Sequence, residues 1–188
     1  MPAVQKKITL NCAPVTAFDV FINKMSDWWP MEIHSISAGA NTLPANLIVE
    51  RARDGRIVEV DSDGNTHLWG SFETYQAPSR VIIAWHVGEP ASRSTYIEVV
   101  FGMETNGTTS VVLTHGGWEA LGDDAEQKRA DYDSGWDFVF GECYFNACKA
   151  VDKAVKKPKA PERPTEEPKK KSGKSRFSSL SEALHLVH

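Results

Sequence analysis

Short apolar runs and turn-forming dipeptides alternate along the middle of the chain. Asp54-Gly55, Asp63-Gly64 and Asn106-Gly107 tolerate the positive backbone angles of tight hairpins, and each lies between runs rich in β-formers. "NLIVERA" and "RIVEV" flank the first, "RIVEV" and "HLWGSFETY" the second, "TYIEVVFGME" and "TTSVVLTH" the third. Ala77-Pro78-Ser79 turns the chain into "RVIIAWHV". Consecutive strands joined by such short turns predict an antiparallel meander. "VQKKITLN" adds an opening strand, and Pro14 followed by Val15, Phe18 and Phe21 or Ile22 predicts a first helix.

Downstream the period changes from 2 to 3.6. Tyr132, Trp136, Val139, Phe140, Cys143, Ala147, Val151 and Ala154 trace one stripe, which predicts a long C-terminal helix. The fold class is therefore α+β: a curved antiparallel sheet wrapped around that helix, with small helices after the first strand. A curling sheet cannot touch one helix equally along its whole length. Ala147, Ala150 and Ala154 suit close approach in the C-terminal half. Tyr132, Trp136 and Phe140 occupy the other half, where they either plug the gap or line it.

The last stretch follows different rules. "KKPKAPERPTEEPKKKSGKSR", residues 156–176, offers almost nothing apolar to bury and is expected to be a disordered Lys/Pro-rich linker. Beyond it Phe177, Leu180, Leu184 and Val187 recur at helical spacing, with Ser179 and Glu182 as a capping box. Residues 177–188 thus read either as a short amphipathic helix, which would offer a protein partner a surface, or as a frayed end. Residues 1–155 form the single domain that 188 residues favour.

Charge sharpens this division. Residues 1–155 carry 12 Lys and Arg against 21 Asp and Glu, and residues 156–188 carry 9 against 4, within a net charge of −4. An acidic body argues against specific nucleic-acid binding, which needs a basic face. No apolar stretch approaches the roughly 20 residues of a membrane span, and no signal peptide is evident. Cys12, Cys143 and Cys148 make neither a C-x-x-C pair nor a disulfide framework, which points to the cytoplasm.

The aromatic inventory bears on function. The chain holds six Trp, eight Phe and four Tyr. An indole N–H needs a partner when buried, so several tryptophans in one small domain favour an amphipathic cavity over a dry core. "SDWWP", Ser26 to Pro30, places two of them side by side. Neighbours on a helix point about 100° apart, so Trp28 and Trp29 cannot easily do the same job.

"AFDVFINKMSDWWPMEIHSI", "HLWGSFETYQAPSRVIIAWHV", "TSVVLTHGGWEALGDDA" and "YDSGWDFVF", in that order, resemble bacterial homologues of the activator of heat shock protein 90 ATPase, within the START-like (SRPBCC) superfamily. The resemblance covers roughly residues 4–152. It implies a helix-grip fold with a hydrophobic cavity between sheet and helix. It also implies that "SDWWP" is a short helical segment near the cavity mouth, one of Trp28 and Trp29 anchoring in the core and the other edging the pocket. Relatives often carry a G-G-x-W or G-G-x-F turn between the second and third strands. Here "ARDGRIVEV" stands instead, so their ligand preference does not transfer. Co-chaperone activity in the eukaryotic activator depends partly on a separate domain that nothing here resembles.

Catalytic signatures are sparse. No G-x-S-x-G, phosphate loop or Cys–His pair occurs. His34, His67, His86 and His115 are scattered, and only His115 with Glu119 has ligand or acid–base spacing. "GDDAEQKRAD", residues 122–131, reads as a solvated loop or helix lead-in. No catalytic residue, metal or cofactor is assigned. The leading expectation is non-enzymatic binding of a hydrophobic or aromatic small molecule by Trp28, Trp29, Trp69, Phe72, Trp85, Tyr96, Trp118, Tyr132, Trp136 and Phe140. His34, Glu50, His115 and Glu119 are the candidate polar groups of that pocket. Two alternatives stand beside it: a chaperone-cofactor or interaction protein of the stress response, acting through the outer face and tail, and a polyketide cyclase or dehydratase-like enzyme using the same cavity. Some START-like proteins are cyclases, and for that chemistry Tyr96 joins the four polar groups as an acid–base candidate. The oligomeric state has no signature in the sequence.

Overall fold

The computed structural model describes residues 1–156. Most of the linker, residues 157–176, and the short helix expected over residues 177–188 lie outside the described residues. Seven strands form one antiparallel sheet: β1 (Val4–Leu10), β2 (Pro44–Val49), β3 (Arg56–Asp61), β4 (Thr66–Gln76), β5 (Arg80–Trp85), β6 (Thr95–Met103) and β7 (Thr109–Gly116). Their order is β1-β7-β6-β5-β4-β3-β2, so the meander runs uninterrupted from β2 to β7 and β1 closes the far edge. Between β1 and β2 lie α1 (Pro14–Asn23), α2 (Met25–Trp28) and α3 (Ile36–Gly39).

Alternation places one side chain in two on the inner face. Val81, Ile83 and Trp85 of β5 are buried there, as are Ile97, Val99 and Phe101 of β6 and Val111 and Leu113 of β7. The curl is uneven. Register shifts fall at Pro44/Asn46, Ile57/Val58 and Phe72/Thr74, all in the β2–β5 half, whereas β5–β6, β6–β7 and β1–β7 pair regularly. A bulge bends its strand and increases twist. The half of the sheet carrying Trp69 and Trp85 is therefore the half that bends.

The gripped helix starts from a 3₁₀ segment, Trp118–Asp124, and runs as α4 (Ala125–Phe138), a π-helical turn (Val139–Tyr144) and α5 (Phe145–Lys156). Gly122–Asp124 thus lead into the helix. The backbone stays helical across both junctions, at Val139 and Phe145. The long helix is where the sequence places it, but its buried stripe changes phase. Trp136, Val139 and Phe140 face inward as expected, and then Tyr144 and Cys148 are buried in place of Cys143 and Ala147, which are half-buried. Ala150 and Ala154 are exposed. A π turn holds more residues per turn than an α turn, so the inward face slides by one position beyond it.

α1 packs across this shifted stripe. Tyr144 donates to the Ala17 carbonyl at 2.8 Å and meets Phe21 edge-on at 5.3 Å between centroids. Phe21 and Tyr144 fill the space between α1 and the helix; beyond them a second cavity of about 300 Å³ is lined by Cys12, Phe145 and Cys148.

Candidate functional site: an indole-floored cleft

At the opposite end, a cleft of about 330 Å³ opens between β4, β5, α4 and the segment after α2. Trp29, Trp69, Trp85 and Trp136 form its floor; Ile33, His34, Ser35, Val87, Lys128, Asp131, Tyr132, Gly135 and Val139 form its walls and rim. Trp69 is fully buried and Trp29 is 9% exposed, with Trp85 and Trp136 at 3% each. The indoles therefore both plug and line: they fill the gap under the bent sheet, and the cleft sits on top of them.

Trp29 is the hub. Its ring centroid lies 5.2 Å from Trp69, 5.7 Å from Trp85 and 5.9 Å from Trp136. Each indole N–H of the floor finds a protein acceptor. Trp29 donates to the His34 carbonyl at 2.6 Å, Trp69 to Glu59 at 2.7 Å, Trp85 to the Tyr132 hydroxyl at 3.0 Å and Trp136 to His115 Nδ1 at 3.0 Å. A buried donor left unpaired would be costly. The partners come from within the protein, so the floor offers carbon surface, while His34, Ser35, Lys128, Asp131 and Tyr132 supply the polar part of the lining.

Two of those partners are themselves buried ionisable groups. His115, fully buried on β7, accepts from Trp136, while its Nε2 meets Thr95 Oγ1 at 2.8 Å. The Thr95 hydroxyl donates to the Trp85 carbonyl at 3.0 Å, so it can only accept from His115. Nε2 therefore carries the proton, the ring is neutral, and burial lowers its pKa to about 3. Both nitrogens are committed, so His115 has no site left for proton transfer.

Glu59 is fully buried on β3. Burial pushes its pKa up, but hydrogen bonds from the Ser37 hydroxyl, the Ser37 N–H (2.8 Å), the Ile36 N–H (2.9 Å) and Trp69 outweigh that and hold it below the usual 4.5. One carboxylate thus ties a floor tryptophan to the loop at the rim. No sequence expectation included Glu59 or Ser37. The signal was present: in "RIVEVD" Ile57, Glu59 and Asp61 share the inward face, and a carboxylate at a core position needs a dedicated set of donors.

Of the expected site residues, the structure brings Trp29, Trp69, Trp85, Tyr132, Trp136 and His34 to the cleft. The others are elsewhere. Trp28 sits in the core between Phe21 and Tyr144 and donates to the Val20 carbonyl at 2.8 Å. Phe72 packs on Tyr75, and Phe140 stacks on Tyr144, beyond the phase shift. Trp118 is buried behind His115, 4.1 Å between centroids; its Nε1 is the buried side-chain donor without a partner among the described residues. Tyr96 points to the outer face, where its ring covers Gly116 so closely that a Cβ there would meet the hydroxyl at 2.5 Å. Glu50 pairs with Arg56 at 2.7 Å on the surface. Glu119 is exposed while His115 is buried, so the two form no acid–base or metal pair.

No protein-family model and no curated protein matches the chain. Solved structures do. The anthrahydroquino-γ-pyrone synthase Txn09, complexed with SUM, is 26% identical, with 78% of this chain and 97% of that one covered at a TM-score of 0.55. The self-sacrificing resistance protein CalC from Micromonospora echinospora is 21% identical over 80% and 96%, TM-score 0.56. The Aha1 dimer from Colwellia psychrerythraea is 15% identical over 74% and 91%, TM-score 0.53. The chain has the helix-grip fold of START-like proteins. Among the described residues no helix is long and apolar enough to cross a membrane.

Proposed function

We propose that this helix-grip chain binds a flat, largely apolar aromatic small molecule in the indole-floored cleft. One observation carries the reading: an opening of about 330 Å³ ends on four tryptophans whose N–H groups are all turned to protein acceptors. Such a floor rewards ring surface. The volume falls at the lower end of ligand sites, roughly 300–1,000 Å³, which suits a molecule of a few rings. Lys128 and Asp131 at the rim leave the outer edge of the guest room for polar substituents. A guest burying about 350 Å² gains on the order of 9 kcal/mol gross. Association costs of at least about 4 kcal/mol bring this to about 5, a Kd near 0.2 mM before any hydrogen bond is added.

Tryptophan fluorescence tests it. A titration with planar aromatics of increasing ring number, and with fatty acids of matched apolar area, is expected to give saturable quenching by the aromatics and a weaker response to the acids. A flat response to the whole panel would refute the proposal.

The likeness to a synthase favours a second reading, acid–base chemistry in the same cleft. Tyr132 is the group that supports it. Burial raises its pKa, and its hydroxyl, which accepts from Trp85, has no acceptor for its own proton among the described residues. Conversion of a bound aromatic precursor that is abolished by Tyr132→Phe, with binding retained, would establish that reading.

A further inference from the structure

The floor is not one continuous wall. Trp69, Trp85 and Trp136 belong to β4, β5 and α4, whereas Trp29 belongs to a strap, residues 29–35, between α2 and α3. Each end of the strap is anchored. Trp28, just before it, is buried and donates to Val20. Ile36 and Ser37, just after it, donate to Glu59.

Between those anchors the hydrogen bonds are all local. Trp29 N–H donates to Met25, Met31 to Trp29, and Ile33 and His34 to Pro30. Ser35 accepts from Gly39 and Ala38. The Trp29 indole itself donates to His34, five residues on in the same strap. Among the described residues, the strap makes no hydrogen bond or ion pair to the sheet or the long helix. It is held down by apolar packing alone: Met31 is buried in the core, and Trp29 meets Trp69, Trp85 and Trp136.

We infer that Trp29 is a built-in occupant of the guest site: the seat against Trp69, Trp85 and Trp136 is an aromatic-binding subsite, filled by the protein's own indole until a guest displaces it. The inference rests on the proposed binding function and goes deeper by naming the guest class, a flat fused bicyclic aromatic of indole or naphthalene size. Lifting the strap breaks no hydrogen bond to the body and carries the Trp29–His34 bond away intact. Its cost is the burial of Met31 and the ring contacts of Trp29, and an incoming ring of the same size restores the second. The closed strap lowers apparent affinity by the fraction of time the seat is free.

Full-length wild type and Trp29→Ala, titrated with indole and followed by fluorescence and thermal melting, test this. The expected result is binding at least about tenfold tighter in Trp29→Ala, because the competitor has gone, with indole raising its melting temperature more than that of wild type. Equal or weaker binding by the variant, with wild type still binding aromatics, would overturn the inference and leave the proposed function standing. Binding by the variant alone would overturn both, because no guest would then displace the indole of the wild type. Should Trp29→Ala not fold, hydrogen exchange on wild type decides. Saturating indole is expected to accelerate the amides of Met31, Ile33 and His34, and protection of them would show a guest bound over a closed strap.

Discussion

His115 and Glu59 show how single polar residues hold an aromatic site in shape. His115 titrates near 6.5 when unfolded and about 3 when folded, so the unfolded chain takes up a proton that the native one refuses. Stability is then full above about pH 6.5 and falls by about 1.4 kcal/mol per unit below it, down to the folded pKa. Denaturant melts are expected to lose about 2 kcal/mol from this residue between pH 6.5 and pH 4.5. In His115→Asn, which offers an acceptor in place of Nδ1 but cannot titrate, that slope should vanish; a slope that persists would place its origin in another residue. For Glu59 the sign is set by a lowered carboxylate pKa, so its contribution is present above 4.5 and is lost as pH falls through the folded value. Glu59→Gln puts an amide N–H among four donors, and is expected to cost about 1–3 kcal/mol in chemical denaturation at pH 7. A neutral Glu59→Gln would mean the rim loop finds other acceptors. In both residues the function is to orient an indole, and sequence pattern alone cannot show that. It marks His115 and Glu59 as polar residues at inward positions, but their hydrogen-bond partners come from β4, β6, α3 and α4, which only the tertiary fold brings close.

Elements were legible to the extent that a local signal fixes them. Asp63-Gly64 and Asn106-Gly107 set their hairpins, with Gly64 at φ 83° and Gly107 at φ 82°; at Asp54-Gly55 the aspartate takes the positive angle, φ 63°. The stripe that marks the long helix is equally local, and it gave the element but not its phase. Phe140 to Tyr144 to Cys148 is the buried path, one residue off the expected Cys143 and Ala147. A π turn leaves no periodic signature of its own, because its extra residue is fixed by what the two helix halves pack against: Trp136 against the bent half of the sheet, Tyr144 against α1. Removing that residue tests the account. Deletion of Gly141 takes out the extra residue and should restore α geometry with the phase beyond it kept, so Tyr144 still reaches the Ala17 carbonyl and Cys148 stays in the core. Circular dichroism is expected to show cooperative melting near the wild-type temperature. A loss of cooperative melting would mean that the π turn itself, and not the phase it sets, is what the packing needs.

For the whole described domain, the long helix packs under α1 in one half and under the indole-floored cleft in the other, and the same helix serves both. α1 and the phase-shifted half of the helix meet through Phe21, Trp28, Phe140 and Tyr144; the bulged strands leave the other half to be filled by indoles and topped by the cleft. The fold was readable because a meander followed by a long apolar stripe has few ways to pack. The cleft was only partly readable, because the same aromatic residues serve as plug and as floor, and Trp28 and Trp29 part company only once the chain has folded. Gly135 separates the two roles. It lies on α4 at the cleft wall, and a Cβ built on it meets nothing within 4 Å. Leucine there should fill the cleft without touching the core, while replacing glycine in a helix favours the native state by about 0.5–1 kcal/mol. Gly135→Leu is therefore expected to melt at or above the wild-type temperature and to bind aromatic guests at least about tenfold more weakly, a loss of about 1.4 kcal/mol. Stability and binding moving in opposite directions cannot come from general damage to the fold. If binding survives in a fully folded Gly135→Leu, the guest does not use this cleft, whatever the aromatic floor suggests.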